Sequence, residues 1–191
     1  MTPLTPTLIN LCETPVTVAD VKAQARIDSS AEDDLLSFLI NVATVDASNR
    51  TGRSFSRMIW ELRFDQFPVY EVSGIETTRR EVIVPRPPVN QILSFSYLDE
   101  NDVRQNFSDY RLIRYDQYAK IVPDADWPTT NGGVVIRYEA GLNCSLPYPV
   151  KQWILLEVAH LYRNRELTVE RALSTLPFGD SLLHPYMNIG V

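Results

Sequence analysis

The sequence holds only two cysteines, Cys12 and Cys144, and two histidines, His160 and His184. Two thiols are too few for a disulfide scaffold and lack metal-ligand spacing, so reduced thiols are expected. The histidines sit in no H-E-x-x-H or H-x-E pattern, so neither is expected to ligate a metal. A nucleophile pair of Cys144 and His160 has no local signature behind it. G-x-S-x-G, the P-loop and G-x-G-x-x-G are absent as well. Positive charge is in deficit, with 18 Lys and Arg against 24 Asp and Glu and a net charge of −6. That balance lacks the electrostatic footprint of a protein that grips DNA regardless of sequence, yet it allows one that surrounds DNA. The most apolar helical stretch, VKQWILLEVAHLY, is too short and too polar at its ends to span a bilayer. The opening MTPLTPTLINLCETP carries neither a basic region nor a long apolar run, so no secretion signal is expected.

The 191 residues are 45% apolar and 22% charged, an ordinary globular composition that implies one domain or a domain with an insertion. Residues 1–16 read as an extended N-terminal arm, because Pro3, Pro6 and Pro15 prevent early helix. Residues 17–55 read as the first half of a helical part. Thr17 followed by Asp20 predicts a capped short helix to about Arg26. A second helix is predicted to start after Ser29 or Ser30 and to run to Thr51, stopped by Gly52. Wound at about 100° per residue, Leu35, Leu36, Phe38, Leu39, Ile40, Val42, Ala43, Val45 and Ala47 fall on one broad apolar arc. Asp33, Ser37, Asn41, Thr44 and Ser48 fall on the other. Asp46 projects from the apolar arc with Arg50 one turn later. The pair reads either as an ion pair at the core's edge or as a polar contact between subunits.

Four carboxylates, Asp28, Glu32, Asp33 and Asp34, crowd the start of this second helix. As a calcium loop the run fails, since the sixth position is Asp33 rather than glycine and the twelfth is Leu39 rather than glutamate. Ser29 and Glu32 have S-x-x-E spacing, and Ser30 with Asp33 repeats the geometry, so a capping box is predicted instead.

From residue 56 the period changes from 3.6 to 2. In RMIWELRFDQFP, Met58, Trp60, Leu62 and Phe64 alternate with Ile59, Glu61, Arg63 and Asp65. EVIVP, QILSFSYL, VRQNF, YRLIRY, AKIVP and GVVIRYEA follow as strands, separated by the turn sequences DEND, YDQY and TNGG. Residues 56–142 thus read as an inserted antiparallel β region, sandwich or barrel-like. Residues 147–166 read as a closing helix with Pro149 in its first turn. Val150, Ile154, Val158, Leu161 and Tyr162 form one stripe. Trp153 and Leu156 lie on the other side, which points to a neighbouring subunit. The tail, residues 167–191, carries Leu176, Phe178, Leu182, Leu183 and Tyr186 among prolines and glycines. It is too apolar for a solvated linker and too broken for a core helix, so it reads as a docking arm for a partner, with a cover over the chain's own sheet as the alternative. The fold class is α+β: a small helical bundle of N-terminal helices plus a C-terminal helix, the inserted β region, and an extended C-terminal arm. A hydrolytic or carbohydrate-binding module using Asp124, Asp126 and Trp127 of PDADWP is the reading from another class.

The order and spacing of TVADVKAQARID, EDDLLSFLINVATVDASNRTGR, WELRFDQFP, PRPPVNQILSFSYLDEND, IRYEAGL and PVKQWILLEVAHLYRNRE resembles the long form of the tailed-phage head–tail connector family, also called adaptor or head-completion proteins. The likeness runs from about residue 15 to residue 187 and includes LPFGDSLLHPY. The resemblance implies a structural virion protein with no enzymatic role, cofactor or metal. It implies a ring of roughly twelve copies in the neck, beneath the portal protein, assembled in the host cytoplasm. The ring extends the DNA channel and offers a platform to a stopper or tail-completion protein. A stopper or tail-completion protein of the same neck is itself the alternative. The helical part is implied to pack beside its copies, with Asp46, Arg50, Trp153 and Leu156 as candidate interface residues. The arm with Leu176, Phe178, Leu182, Leu183 and Tyr186 is implied to dock on the portal. DNA passes without sequence-specific binding, which an acidic channel favours.

Overall fold

A computed structural model of the chain describes residues 5–68, 70–71, 78–79, 81–142, 146–164 and 180–188. They fall into two units. A helical unit combines Leu11–Arg57 with Leu142–Ile189, and a sheet unit combines Met1–Asn10, Met58–Gly141 and Gly190–Val191.

In the helical unit, α1 (Val18–Ala25) opens on a reciprocal cap. Thr17 Oγ1 accepts the Asp20 N–H at 3.1 Å, and Asp20 Oδ2 accepts the Thr17 N–H at 3.0 Å. The helix ends where Arg26 turns left-handed at φ 57°. Helix α2 (Asp33–Thr51) ends at Gly52, with φ 70°. Its start departs from the expected capping box. Glu32 occupies the N-cap position without a side-chain cap bond, and Ser29 Oγ instead accepts the Ala31 N–H at 3.1 Å. The carboxylates have tertiary partners that outcompete a local cap: Glu32 accepts the Tyr162 hydroxyl and Asp33 pairs with Lys22 at 2.5 Å. Glu32 and Asp33 therefore tie α2 to α3 (Tyr148–Arg163) and to α1.

One face of α2, formed by Leu36, Ile40, Ala43 and Ala47, packs in a core with Val16, Val21, Phe55, Val150, Trp153, Ile154, Leu155 and Val158. Thr44 and Ser48, assigned by periodicity to the polar arc, are buried. Thr44 Oγ1 donates to the Ile40 carbonyl at 2.7 Å, which hides its polarity within the helix's own backbone. The far end of the tail belongs to this core too. Two short 3-10 turns, Asp180–Leu182 and His184–Tyr186, seat Leu183 at 1% exposure. Tyr186 meets Phe55 edge to face, with centroids 6.2 Å apart, and the Asn188 N–H donates to the Thr51 carbonyl at 2.7 Å. A Cβ at Gly52 would lie 3.3 Å from the Asn188 Cβ, so the helix stop and the tail fit closely. Over residues 180–188 the extended arm is thus corrected: the segment is anchored, because one buried leucine and one buried ring face are reached by short turns that proline allows.

The sheet unit contains β1 (Thr7–Leu11), β2 (Met58–Phe64), β3 (Tyr70–Glu71), β4 (Thr78–Arg79), β5 (Val82–Val84), β6 (Val89–Leu98), β7 (Arg104–Asn106), β8 (Tyr110–Arg114), β9 (Ala119–Pro123) and β10 (Gly132–Ala140). All seven strands expected from the sequence are present. The N-terminal arm, expected to be extended, supplies β1 as an edge strand beside β2. A five-stranded sheet runs β1-β2-β10-β6-β7, a three-stranded sheet runs β5-β9-β8, and β3 pairs with β4. Among the described residues no sheet closes on itself, so the barrel-like expectation is corrected: both larger sheets keep two free edges. DEND and YDQY are hairpin turns, joining β6 to β7 and β8 to β9. TNGG is not, since β9 and β10 lie in different sheets. Its glycines serve close approach instead: at Gly132, with φ 120°, a Cβ would lie 2.8 Å from the Asp65 carbonyl oxygen.

The two larger sheets meet where Tyr138 of β10 donates its hydroxyl to the Pro85 carbonyl at 3.0 Å, and where Phe95 of β6 touches Tyr110 of β8. Burial holds the Tyr138 hydroxyl far above its ordinary pKa, so it stays a neutral donor. Phe67, Phe95, Phe107, Tyr110 and Trp127 form one aromatic cluster around this meeting point.

Candidate functional site

Helix α2 has two apolar faces. Leu36, Ile40, Ala43 and Ala47 point into the core, while Leu35, Phe38, Val42 and Val45 recur at 3-4-3 spacing on the opposite side. Phe38 is 62% exposed and Val42 39%. Leu35 and Val45 flank them half-buried, so the exposed part of this face is a pair of apolar residues one turn apart. The sequence gathered all of these residues into one arc. That arc was wider than any one packing face, and its width was the available signal that it would split.

Asp46 and Arg50 form an ion pair of 2.8 Å on the flank of the outer face, each side chain about two-fifths exposed at 38% and 44%. Exposed to this degree, such an i, i+4 pair stabilises by ~0.3–0.5 kcal/mol. The Arg50 guanidinium also lies 5.5 Å from the centroid of the Trp153 ring. Trp153 is 4% exposed and belongs to the chain's own core, so the structure places it beneath Arg50 rather than on an outer surface. Leu156, on α3, is half-buried. The four residues expected at an interface therefore separate into an outer pair, Asp46 and Arg50, and an inner one, Trp153, with Leu156 between. Of the tail residues, Leu183 is in the core, and Leu182 and Tyr186 pack against it. Leu176 and Phe178 lie outside the described residues, as does Cys144.

The alternative chemistry does not assemble. Trp127 is stacked on Phe67, with centroids 4.8 Å apart and planes 8° apart, so a ring face that would hold a sugar is already covered. Asp124 is paired with Arg111 at 2.9 Å. Among the described residues no group of three or more His, Cys, Asp or Glu is placed to hold a metal ion. No described helix is long and apolar enough to cross a membrane.

A buried carboxylate organises the sheet unit. Glu61 of β2 accepts from Arg137 Nε at 2.6 Å and from Arg63 Nε at 2.7 Å. The Arg137 hydrogen bond outweighs burial and, with Arg63, holds the Glu61 carboxyl below its ordinary pKa. Both arginines reach outward while the carboxylate stays buried, so the fork fixes two cations on one face of the sheet.

Helix α2 thus carries exposed apolar residues on the side opposite its packed face. Residues 15–111 match the model of the phage gp6-like head-tail connector proteins, and the chain belongs to that family. The family is a structural one, and the chain is a structural virion protein of the head–tail connection. Three solved chains share its fold. One, from the neck of an empty gene transfer agent particle computed with C6 symmetry, has a TM-score of 0.77 at 19% identity over 98% of this chain and 97% of that one. A second, from the virion of the native gene transfer agent particle, has a TM-score of 0.72 at 19% identity over 100% and 97%. A third, from the native neck computed with C12 symmetry, has a TM-score of 0.70 at 16% identity over 98% and 97%. No curated protein matches the sequence.

Proposed function

We propose that copies of this chain form a closed ring, twelve around the axis, in the neck beneath the portal protein of a phage-like particle. The ring extends the DNA channel and presents a platform to a stopper or tail-completion protein. The observation that carries this reading is likeness over nearly the whole length to neck subunits, joined with membership in a connector family. The net charge of −6 suits a channel through which DNA slides rather than sticks. Because residues 180–188 are spent on the helical core, the portal contact is assigned to the stretch ahead of them, which carries Leu176 and Phe178. Asp46 and Arg50 are assigned to the contact between copies. The β region is read as a sandwich that decorates the ring.

Sedimentation of the purified chain with and without its portal protein tests this. A ring-sized species, or a complex with portal, is expected. Monomer at every concentration together with no portal binding would end the reading.

A further inference from the structure

The outer face of α2 reaches further than a general statement that copies associate. Leu35, Phe38, Val42 and Val45 span about 15 Å of helix. Their 3-4-3 spacing is the alternation of threes and fours by which one helix keeps a seam turned toward a partner. The seam has a polar rim of the kind that surrounds protein interfaces, with Asp46 and Arg50 on one flank and Asp34 and Asn41 on the other. Among the described residues its centre, Phe38 and Val42, is exposed and its ends, Leu35 and Val45, are half-buried, while the end of the tail is docked in the core.

We propose that this seam seats on helix α1 of the next copy in the ring. The inference rests on the ring reading above and names the surfaces that build it. A ring contact is heterologous: each copy must offer two different surfaces that complement one another. The second surface is the outer face of α1, where Ala19 and Ala23 are exposed one turn apart and Arg26 follows. Two alanines make low relief, which admits a ring as large as that of Phe38. The charges match as well. Asp34 stands at the N-terminal end of the seam and Arg26 at the C-terminal end of the alanine face. Both are exposed, and neither forms an ion pair among the described residues. Each surface thus carries one unspent charge, of opposite sign to the other.

Sedimentation velocity on the full chain over a wide concentration range provides the test, with far-UV circular dichroism and thermal melting as controls for folding. Phe38→Glu is expected to fold like the wild type and to raise the concentration needed for assembly at least about tenfold, because it places a charge in the seam. Arg26→Asp is expected to weaken assembly, and adding Asp34→Arg to restore it. Wild-type assembly by Phe38→Glu, or no rescue in the swapped pair, would overturn the inference while leaving the ring reading in place. A Phe38→Glu chain that melts well below the wild type would mean that the seam is covered by its own chain, which also overturns it. A wild type that never assembles, alone or with portal, would remove the ring reading and this inference with it.

Discussion

The helical unit and the sheet unit put their apolar side chains to different use. In the sheet unit the exposed ones are scattered: Ile9, Leu93, Val103, Ile113 and Tyr115 lie on separate strands and loops. Its bulk is turned inward, around Trp60, Phe95 and Tyr138. In the helical unit the exposed ones on α2 are aligned, opposite a face that is already packed. A sheet that buries one side has little left over, because its side chains alternate with period two. A helix can carry two separate faces, one for its own core and one for another molecule. The difference teaches where aligned apolar surface is left over: on the helices, which is where the proposed assembly contact is placed, and not on the sheet.

The sharpest way to break that contrast is through the tail, which the helical unit treats as core. Leu183→Ala should cost about 2–5 kcal/mol in denaturant unfolding, as buried leucines do. Truncation after residue 179 should destabilise at least as much. An unchanged melting temperature in the truncated chain would show that the tail is an arm after all.

Next comes the sheet unit's dependence on a single carboxylate. Glu61→Gln should cost about 1–2 kcal/mol at neutral pH, since the amide keeps one accepting oxygen for one arginine and turns an NH2 donor toward the other. The sign of the pH dependence follows from the lowered carboxyl pKa. Its stabilisation is complete above the ordinary value of 4.5 and is lost as pH falls through the lower folded value. Wild type and Glu61→Gln should therefore differ at pH 7 and converge in acid. A difference that persists at pH 2 would contradict the fork's electrostatic role.

A smaller effect separates the two helix starts within the helical unit. Thr17→Ala should cost about 1 kcal/mol, because its cap is fully formed. Ser29→Ala should lie within about 0.5 kcal/mol of the wild type. Equal losses at both sites would restore a capping role to Ser29.

What was legible in the sequence was local. Thr17 with Asp20, Gly52, and the alternation of Met58, Trp60, Leu62 and Phe64 all act over a few residues, and each appears where it was read. What was not legible depended on partners distant in the chain. The S-x-x-E spacing of Ser29 and Glu32 is real, but Tyr162 claims the Glu32 carboxylate from 130 positions away. TNGG has the composition of a hairpin turn, yet which strand it leads to is decided by sheet order. Prolines in the tail argue against a long helix, but they do not exclude the two short turns over residues 180–186 that bury Leu183. Periodicity placed Phe38 and Leu36 on the same apolar arc. Only packing shows that Leu36 is buried in the chain's own core while Phe38 is exposed.

The central claim is that assembly runs through the helical unit and not the sheet unit. One measurement addresses it directly: the sedimenting mass of the wild type beside Phe38→Glu and Leu93→Glu, two exposed apolar positions given the same charge, one in each unit. The account predicts that Leu93→Glu assembles like the wild type and Phe38→Glu does not. Assembly lost with Leu93→Glu and kept with Phe38→Glu would contradict it.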